Sequence, residues 1–261
     1  IFFLLIPWVQ GHLYPSLVIL IVMKTLYLID ILDDPNHAFE QVFQNFLDTE
    51  ALSTPYYRIA GLHEKTNFNA ILESEPAGIL ISGSLQSVYD RAPWMIKLEA
   101  FIQACYRQQI PVLGLCFGHQ IIASAMGGTV EPLRTWEFGV HPIYRTPESQ
   151  DHPWLQGLPL TFNTLQVHQD HVSQLPPGAQ PLAYSEKTPH QVFSIGSLMG
   201  VQFHPEYTVD MLNTIIAHRH QKLIDKGPFH SEAHLRAVAQ HWALPEAPRQ
   251  ILKNFLASVK P

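Results

Sequence analysis

The feature that most constrains this chain is a short run near its middle, Val112-Leu113-Gly114-Leu115-Cys116-Phe117-Gly118-His119-Gln120, which continues to Gly127-Gly128. An apolar strand runs straight into a cysteine flanked by glycines two residues before and two after, and a helical pattern starts at once. That is the nucleophile-elbow arrangement. The glycines permit a sharp turn and close packing of strand on helix. The turn places the sulfur at the strand's C-terminal end, beside a helix N-terminus whose dipole favours thiolate. Taken alone, G-x-C-x-G also describes a buried cysteine at a tight strand-to-helix turn.

The flanking sequence has the rhythm such an elbow requires. Strands are expected at 24–30, 56–60, 77–83 and 111–115. Between them come a helix capped by Asn36 and carrying Phe39, Val42, Phe43, Phe46 and Leu47, and a second through Trp94–Gln108 opened by Pro93. A third is expected from about Gly118 to Met126. Alternating strand and helix implies an α/β fold, a mostly parallel open sheet with helices on both faces. After Thr129 the texture changes to a smaller, partly antiparallel strand region, with segments near 129–133, 137–145, 161–168, 181–185, 191–196 and 198–203. Helices come next at Val209–Asp225, Glu232–Trp242 and Pro248–Val259. With no internal repeat and no linker, residues 23–261 read as one domain.

Residues 1–22 carry no charged side chain. Pro7, Gly11 and Pro15 interrupt them, and the unbroken runs Ile1–Ile6 and Leu17–Met23 are too short to span a bilayer. They join the first core strand with no linker. The expectation is an upstream hydrophobic extension with Met23 as the natural start; a genuine extension or anchor is the alternative.

A formal charge of −6 offers no basic footprint, which argues against nucleic acid as partner. The chain has two cysteines. Cys105 falls on the apolar face of its helix and reads as core, and so low a cysteine count fits a reducing cytoplasm. Among the histidines, His230 and His234 can share a helix face, but no cysteine or carboxylate pattern supports a metal there.

A second motif, Gly200-Val201-Gln202-Phe203-His204-Pro205-Glu206, ends another apolar strand at a histidine. Glu206, two residues on, can face the same way as His204, and a carboxylate beside imidazole fixes its tautomer and stabilises its cation. Alone, His-Pro-Glu is equally a surface turn. Together the two stretches resemble the class I, triad-type glutamine amidotransferases, most closely the glutaminase domain of guanosine monophosphate synthetases and its stand-alone relatives. Residues 81–90 resemble that family's oxyanion loop, with Gly83-Ser84-Leu85 where Gly-Gly-Pro is frequent, and residues 167–172 resemble its H-x-D segment. The resemblance covers roughly residues 24–210.

It implies Cys116 as nucleophile, His204 as general base and acid, and Glu206 as its orienter. Backbone oxyanion donors would come from Phe117 and from Gly83 and Ser84. Gln120, His168, Gln169 and Asp170 would lie around the substrate's amino-acid end. Ser87, Tyr89 and Asp90 read as stabilising their loop, and residues 168, 170 and 171 have a plainer reading as polar loop residues. The implied chemistry is hydrolysis of glutamine or a γ-glutamyl compound through a thioester, needing no cofactor or metal. Three roles stay open: an amidotransferase subunit feeding a separate synthase, a γ-glutamyl peptidase, or a catalytically silent binding protein.

Overall fold

The computed structural model describes residues 24–32, 38–60, 66–243 and 245–259. Residues 1–22, Met23 and the expected helix cap Asn36 lie outside them. The described strands form one nine-stranded sheet. They are β1 (Leu26–Asp30), β2 (Tyr56–Ala60), β3 (Gly78–Ile81), β4 (Val112–Leu115), β5 (Thr129–Arg145), β6 (Thr161–Gln174), β7 (Gln180–Tyr184), β8 (Val192–Ile195) and β9 (Leu198–Val201). The helices are α1 (Phe39–Thr49), α2 (Phe68–Glu73), α3 (Pro93–Arg107), α4 (Phe117–Ala125), α5 (Val209–Lys226), α6 (Glu232–Ala239) and α7 (Arg249–Ser258).

Strand order is β2-β1-β3-β4-β9-β8-β7-β5-β6. The first five are parallel; β8, β7, β5 and β6 extend the sheet antiparallel. One placement matters most for the site. β4 and β9, far apart in the chain, are neighbours, with Leu115 opposite Val201. The residues just beyond each strand therefore emerge at the same edge, the C-terminal rim where open α/β sheets hold ligands.

The core explains the layering. Along β1, Leu26 and Leu28 point to one face, against Phe39, Phe43 and Phe46 of α1 and Phe255 of α7, while Ile29 points to the other. There it meets a cluster with Leu98 and Ile102 of α3 and Ile121 and Ile122 of α4. The period of two in the strand thus feeds two separate layers of helices. Each fully buried Phe or Leu contributes roughly 1.5–3 kcal/mol. A third cluster packs α5 and α6 over the β5–β6 ribbon through Leu212, Ile215, Leu223 and Leu235 against Phe138, Leu165 and Val167. It carries α5 to the rim.

Several expected boundaries shift. The segments near 129–133 and 137–145 are one strand, β5, with a register break between Pro132 and Glu137. The plain reading of residues 168–171 as loop is wrong. They belong to β6, and their polar character is compatible with a strand because β5 supplies the pairing partners Pro132 and Glu131. α2 was not expected; it is a single short segment, capped by the Asn67 side chain accepting from the Ala70 N–H at 3.2 Å. No helix among the described residues is long and apolar enough to cross a membrane.

Candidate active site

The elbow is built by close approach. A Cβ added to Gly114 would lie 2.3 Å from the Gly118 carbonyl oxygen, and one added to Gly118 would lie 2.6 Å from the Ile81 carbonyl oxygen. Only hydrogen fits at either position, so β4, α4 and β3 meet backbone to backbone. Between the glycines, Cys116 takes a positive-φ conformation, φ 52° and ψ −101°. A non-glycine residue there is strained by about 1–3 kcal/mol. Its N–H donates to the Val201 carbonyl of β9 at 2.8 Å, which fixes the turn to the neighbouring strand. The next residue, Phe117, opens α4, where an N–H has no partner within the helix.

Beyond the end of β9, His204 returns to the same rim. Its Nδ1 lies 2.8 Å from Glu206 Oε1, so it is the protonated nitrogen of the neutral ring. Its ring also stacks on Tyr207, with centroids 3.9 Å apart. Both His204 and Glu206 are buried. Burial alone lowers an imidazole pKa, but the Glu206 charge and then the Cys116 side chain, which also hydrogen bonds to His204, outweigh it and raise His204 to about 10. A Cβ on Gly83, just past the end of β3, would sit 3.4 Å from His204 Cε1 and 3.6 Å from Cys116 Cβ. Sulfur, imidazole and the Gly83 backbone therefore face one small space. Gln202 completes it, with Nε2 at 3.7 Å from Cys116 Sγ.

A cavity of about 300 Å³ opens in front of Cys116, lined also by Ser84, Gln120, Gln169, Arg219 and Lys222. Of the residues expected to hold a substrate's amino-acid end, three are already engaged. Gln120 Nε2 donates to the Asp170 carbonyl at 2.9 Å and to Gln202 Oε1 at 3.1 Å. His168 Nδ1 meets the same carbonyl at 3.0 Å, while its Nε2 stands 3.2 Å from Glu137 Oε2, an ion-pair distance without hydrogen-bond alignment. The Asp170 carboxylate accepts from Ser87 Oγ at 2.5 Å and from Tyr89 OH at 3.0 Å. Ser87 and Tyr89 thus hold their loop, as the sequence suggested, and Asp170 is what they hold. Gln169 is half-buried at the cavity wall. His171 points elsewhere, to the Glu131 carbonyl at 3.0 Å.

Residues 42–220 match the family profile described as glutamine amidotransferase class-I. The chain belongs to that family. A glutamine-hydrolysing GMP synthase of Thermomicrobium roseum is 35% identical over 151 residues, 58% of this chain and 27% of that protein. The γ-glutamyl peptidase 5 of Arabidopsis thaliana is 36% identical over 143 residues, 53% of this chain and 57% of that protein. The chain therefore aligns with about a quarter of the one and little over half of the other. In fold it is similar to a glutamine amidotransferase of Thermotoga maritima, with a TM-score of 0.70 at 20% identity over 92% of this chain and 99% of that one. One from Methylobacillus flagellatus gives 0.67 at 21% identity over 90% and 95%.

In this glutamine amidotransferase domain, some site residues escaped the sequence reading. Gln202 sits inside a motif read for its histidine and its glutamate alone. Glu137 is buried in β5, where burial raises its carboxyl but the facing His168 and hydrogen bonds from Thr188 and Ser185 prevail and lower it to about 2. A charged residue at an inward strand position was the available signal. Trp136 on β5 had none, nor did Arg219 and Lys222, whose approach to the cavity depends on how α5 docks. Cys105 is core, its thiol pushed up to about 12 by burial and so unreactive. Among the described residues, no group of three or more His, Cys, Asp or Glu is placed to hold a metal ion.

Proposed function

We propose that this chain hydrolyses the γ-amide of glutamine or of a γ-glutamyl compound, with Cys116, His204 and Glu206 as the catalytic triad. The Cys116 thiolate attacks the amide carbon, and the carbonyl electron pair moves onto oxygen. The N–H of Phe117 and the backbone at Gly83 and Ser84 stabilise that oxyanion; one such donor is worth about 3 kcal/mol in the transition state. The His204 imidazolium gives its proton to the departing amine as the C–N bond breaks, leaving a thioester. His204 then takes a proton from water, which attacks the thioester; the C–S bond breaks, releasing the γ-carboxylic acid, which gives its proton to solvent, and regenerating the thiolate–imidazolium pair. Glu206 keeps the ring oriented and its cation stable throughout.

The observation that carries this reading is the convergence of the Cys116 side chain and the His204 ring on Gly83, with Glu206 behind the ring at 2.8 Å. The two free cysteines fit a reducing cytoplasm. Relatives of two kinds, a glutamine-hydrolysing synthase and a γ-glutamyl peptidase, stand at nearly equal identity. That favours carrying both acceptors forward: a synthase that receives ammonia, or water alone in a peptidase. Purified protein assayed on glutamine, glutathione and γ-glutamyl amides tests the chemistry. Cys116→Ala should abolish turnover while its circular dichroism matches the parent; substantial turnover in that variant rules out the thioester route. Glutaminase activity that rises when a synthase is added favours the first role, and peptidase activity alone favours the second.

A further inference from the structure

Two buried glutamines beside the sulfur form a relay whose direction is set by the backbone. The pairing of β9 with its neighbour runs one residue past Val201, because the Gln202 N–H donates to the Gln191 carbonyl at 2.8 Å. Gln202 is then two residues on from Gly200, so both face the same side of the sheet. On that side α4 approaches closely: a Cβ on Gly200 would lie 2.6 Å from His119 Nδ1. The Gln202 side chain there meets Gln120, the next residue of α4, and both side chains are buried. The Asp170 carbonyl can only accept, so the atom of Gln120 that faces it at 2.9 Å is the amide nitrogen. That nitrogen has a second hydrogen, which goes to Gln202 Oε1 at 3.1 Å. With its oxygen facing Gln120, Gln202 turns its own nitrogen to Cys116 Sγ at 3.7 Å. A flip of Gln202 would set nitrogen against nitrogen. A flip of Gln120 would set its oxygen against the Asp170 carbonyl, and either leaves buried polar groups unpaired. His168 Nδ1 holds the same carbonyl at 3.0 Å. The last donor of the relay therefore points at the sulfur.

We propose that Gln202 is a further catalytic residue, its amide N–H donating to the Cys116 thiolate, with Gln120 as the positioning residue that directs it. The proposal deepens the γ-glutamyl hydrolase reading and rests on it for Cys116 being the nucleophile. An anionic sulfur accepts a hydrogen bond better than a neutral thiol, so the donor favours the attacking form. An amide does not titrate, so this support is present whatever the protonation of His204.

Alkylation by iodoacetamide, followed against pH, reads the thiolate without turnover. Cys105 is buried with its thiol pushed up to about 12 and stays silent, and Cys116→Ala supplies the blank. The charged groups around the sulfur are His204 with Glu206 behind it, and His168, Asp170, Arg219 and Lys222 on the cavity walls; none is changed in the variants. Gln202→Met and Gln202→Leu fill the space in two shapes and donate nothing. Their alkylation midpoint should rise by about one pH unit, a tenfold lower thiolate fraction below the midpoint, with the rate recovering at high pH. Gln120→Met leaves the Gln202 amide undirected and should give a smaller rise. kcat/KM on γ-glutamyl ethylamide, measured below the midpoint, should fall in the same order. Melting curves confine the comparison to folded protein, and if neither Gln202 variant folds, Gln120→Met decides. An alkylation rate lowered by one factor at every pH is what a displaced backbone gives, and it overturns the assignment. Unchanged midpoints overturn it too, with turnover by the parent leaving the hydrolase reading intact. A parent that hydrolyses no γ-glutamyl compound overturns that reading, and the catalytic role of Gln202 with it.

Discussion

Gly114→Ala tests whether the elbow is held together by the backbone-to-backbone approach of β4 and α4. The added methyl would fall 2.3 Å from the Gly118 oxygen, 2.4 Å from its carbonyl carbon and 2.7 Å from Ile122 Cδ1. Comfortable non-bonded contacts lie near 3.5 Å, so α4 must retreat by about 1 Å at its first turn. Overpacking of this kind costs about 1–3 kcal/mol, and contact with backbone rather than a side-chain tip favours the upper end. For a domain of this size that lowers Tm by roughly 5–10 °C. The same retreat carries Phe117 N–H and Cys116 away from the reacting atoms, and a 1 Å misplacement costs on the order of 100-fold in rate. Calorimetry together with kcat/KM on a γ-glutamyl amide reads both effects. Gly83→Ala is the comparison, since its methyl would make ordinary contacts at 3.4 and 3.6 Å; its Tm should stay within about 2 °C of the parent. If Gly114→Ala melts with the parent and keeps its rate, the elbow does not depend on that close packing and the reasoning is refuted.

The buried pairs set two pH dependences. His204 is raised to about 10, so its contribution to stability is complete below its ordinary value of 6.5 and is lost as pH climbs through 10. Glu206→Gln removes the charge that sustains it; the imidazole titration followed by NMR should move down by roughly one to three units, and no movement would show that Glu206 does not hold the cation. Glu137 has the opposite sign. Its stabilising effect is present above its ordinary value of 4.5 and disappears as pH falls toward about 2. Urea midpoints measured across that window should decline in the parent and flatten in Glu137→Gln, and equal declines would refute the assignment.

Much of the parallel half was legible because its signals are local. Strands such as Val112–Leu115 are continuous apolar runs, and the five buried residues of α1 recur at helical spacing. The elbow was readable for the same reason, since glycines two residues either side of a cysteine after a strand leave few other conformations. The ribbon was harder. The expected segments 129–133 and 137–145 left a gap, yet the chain runs on through a register break within one strand. Polar residues 168–171 looked like loop because their partners are supplied by a strand some forty residues away. The cationic face of α5 was the least legible. Arg219 and Lys222 on a helix read as a solvated surface, and only the docking of Leu212, Ile215 and Ile216 onto the ribbon turns that surface toward the sulfur.

Asp170 joins parts of the molecule that the strand order keeps apart. Its carboxylate tethers the segment downstream of Gly83 by two hydroxyls, while its carbonyl takes up Gln120 from the helix that opens after the thiol. The groups proposed to react are thus supplied by one half of the sheet, and the position of the proposed oxyanion loop is set by the other. Changes that accumulate in the outlying ribbon will retune the rate of the chemistry while every reacting group stays the same. Chains that share the proposed triad can then diverge in speed long before they diverge in architecture.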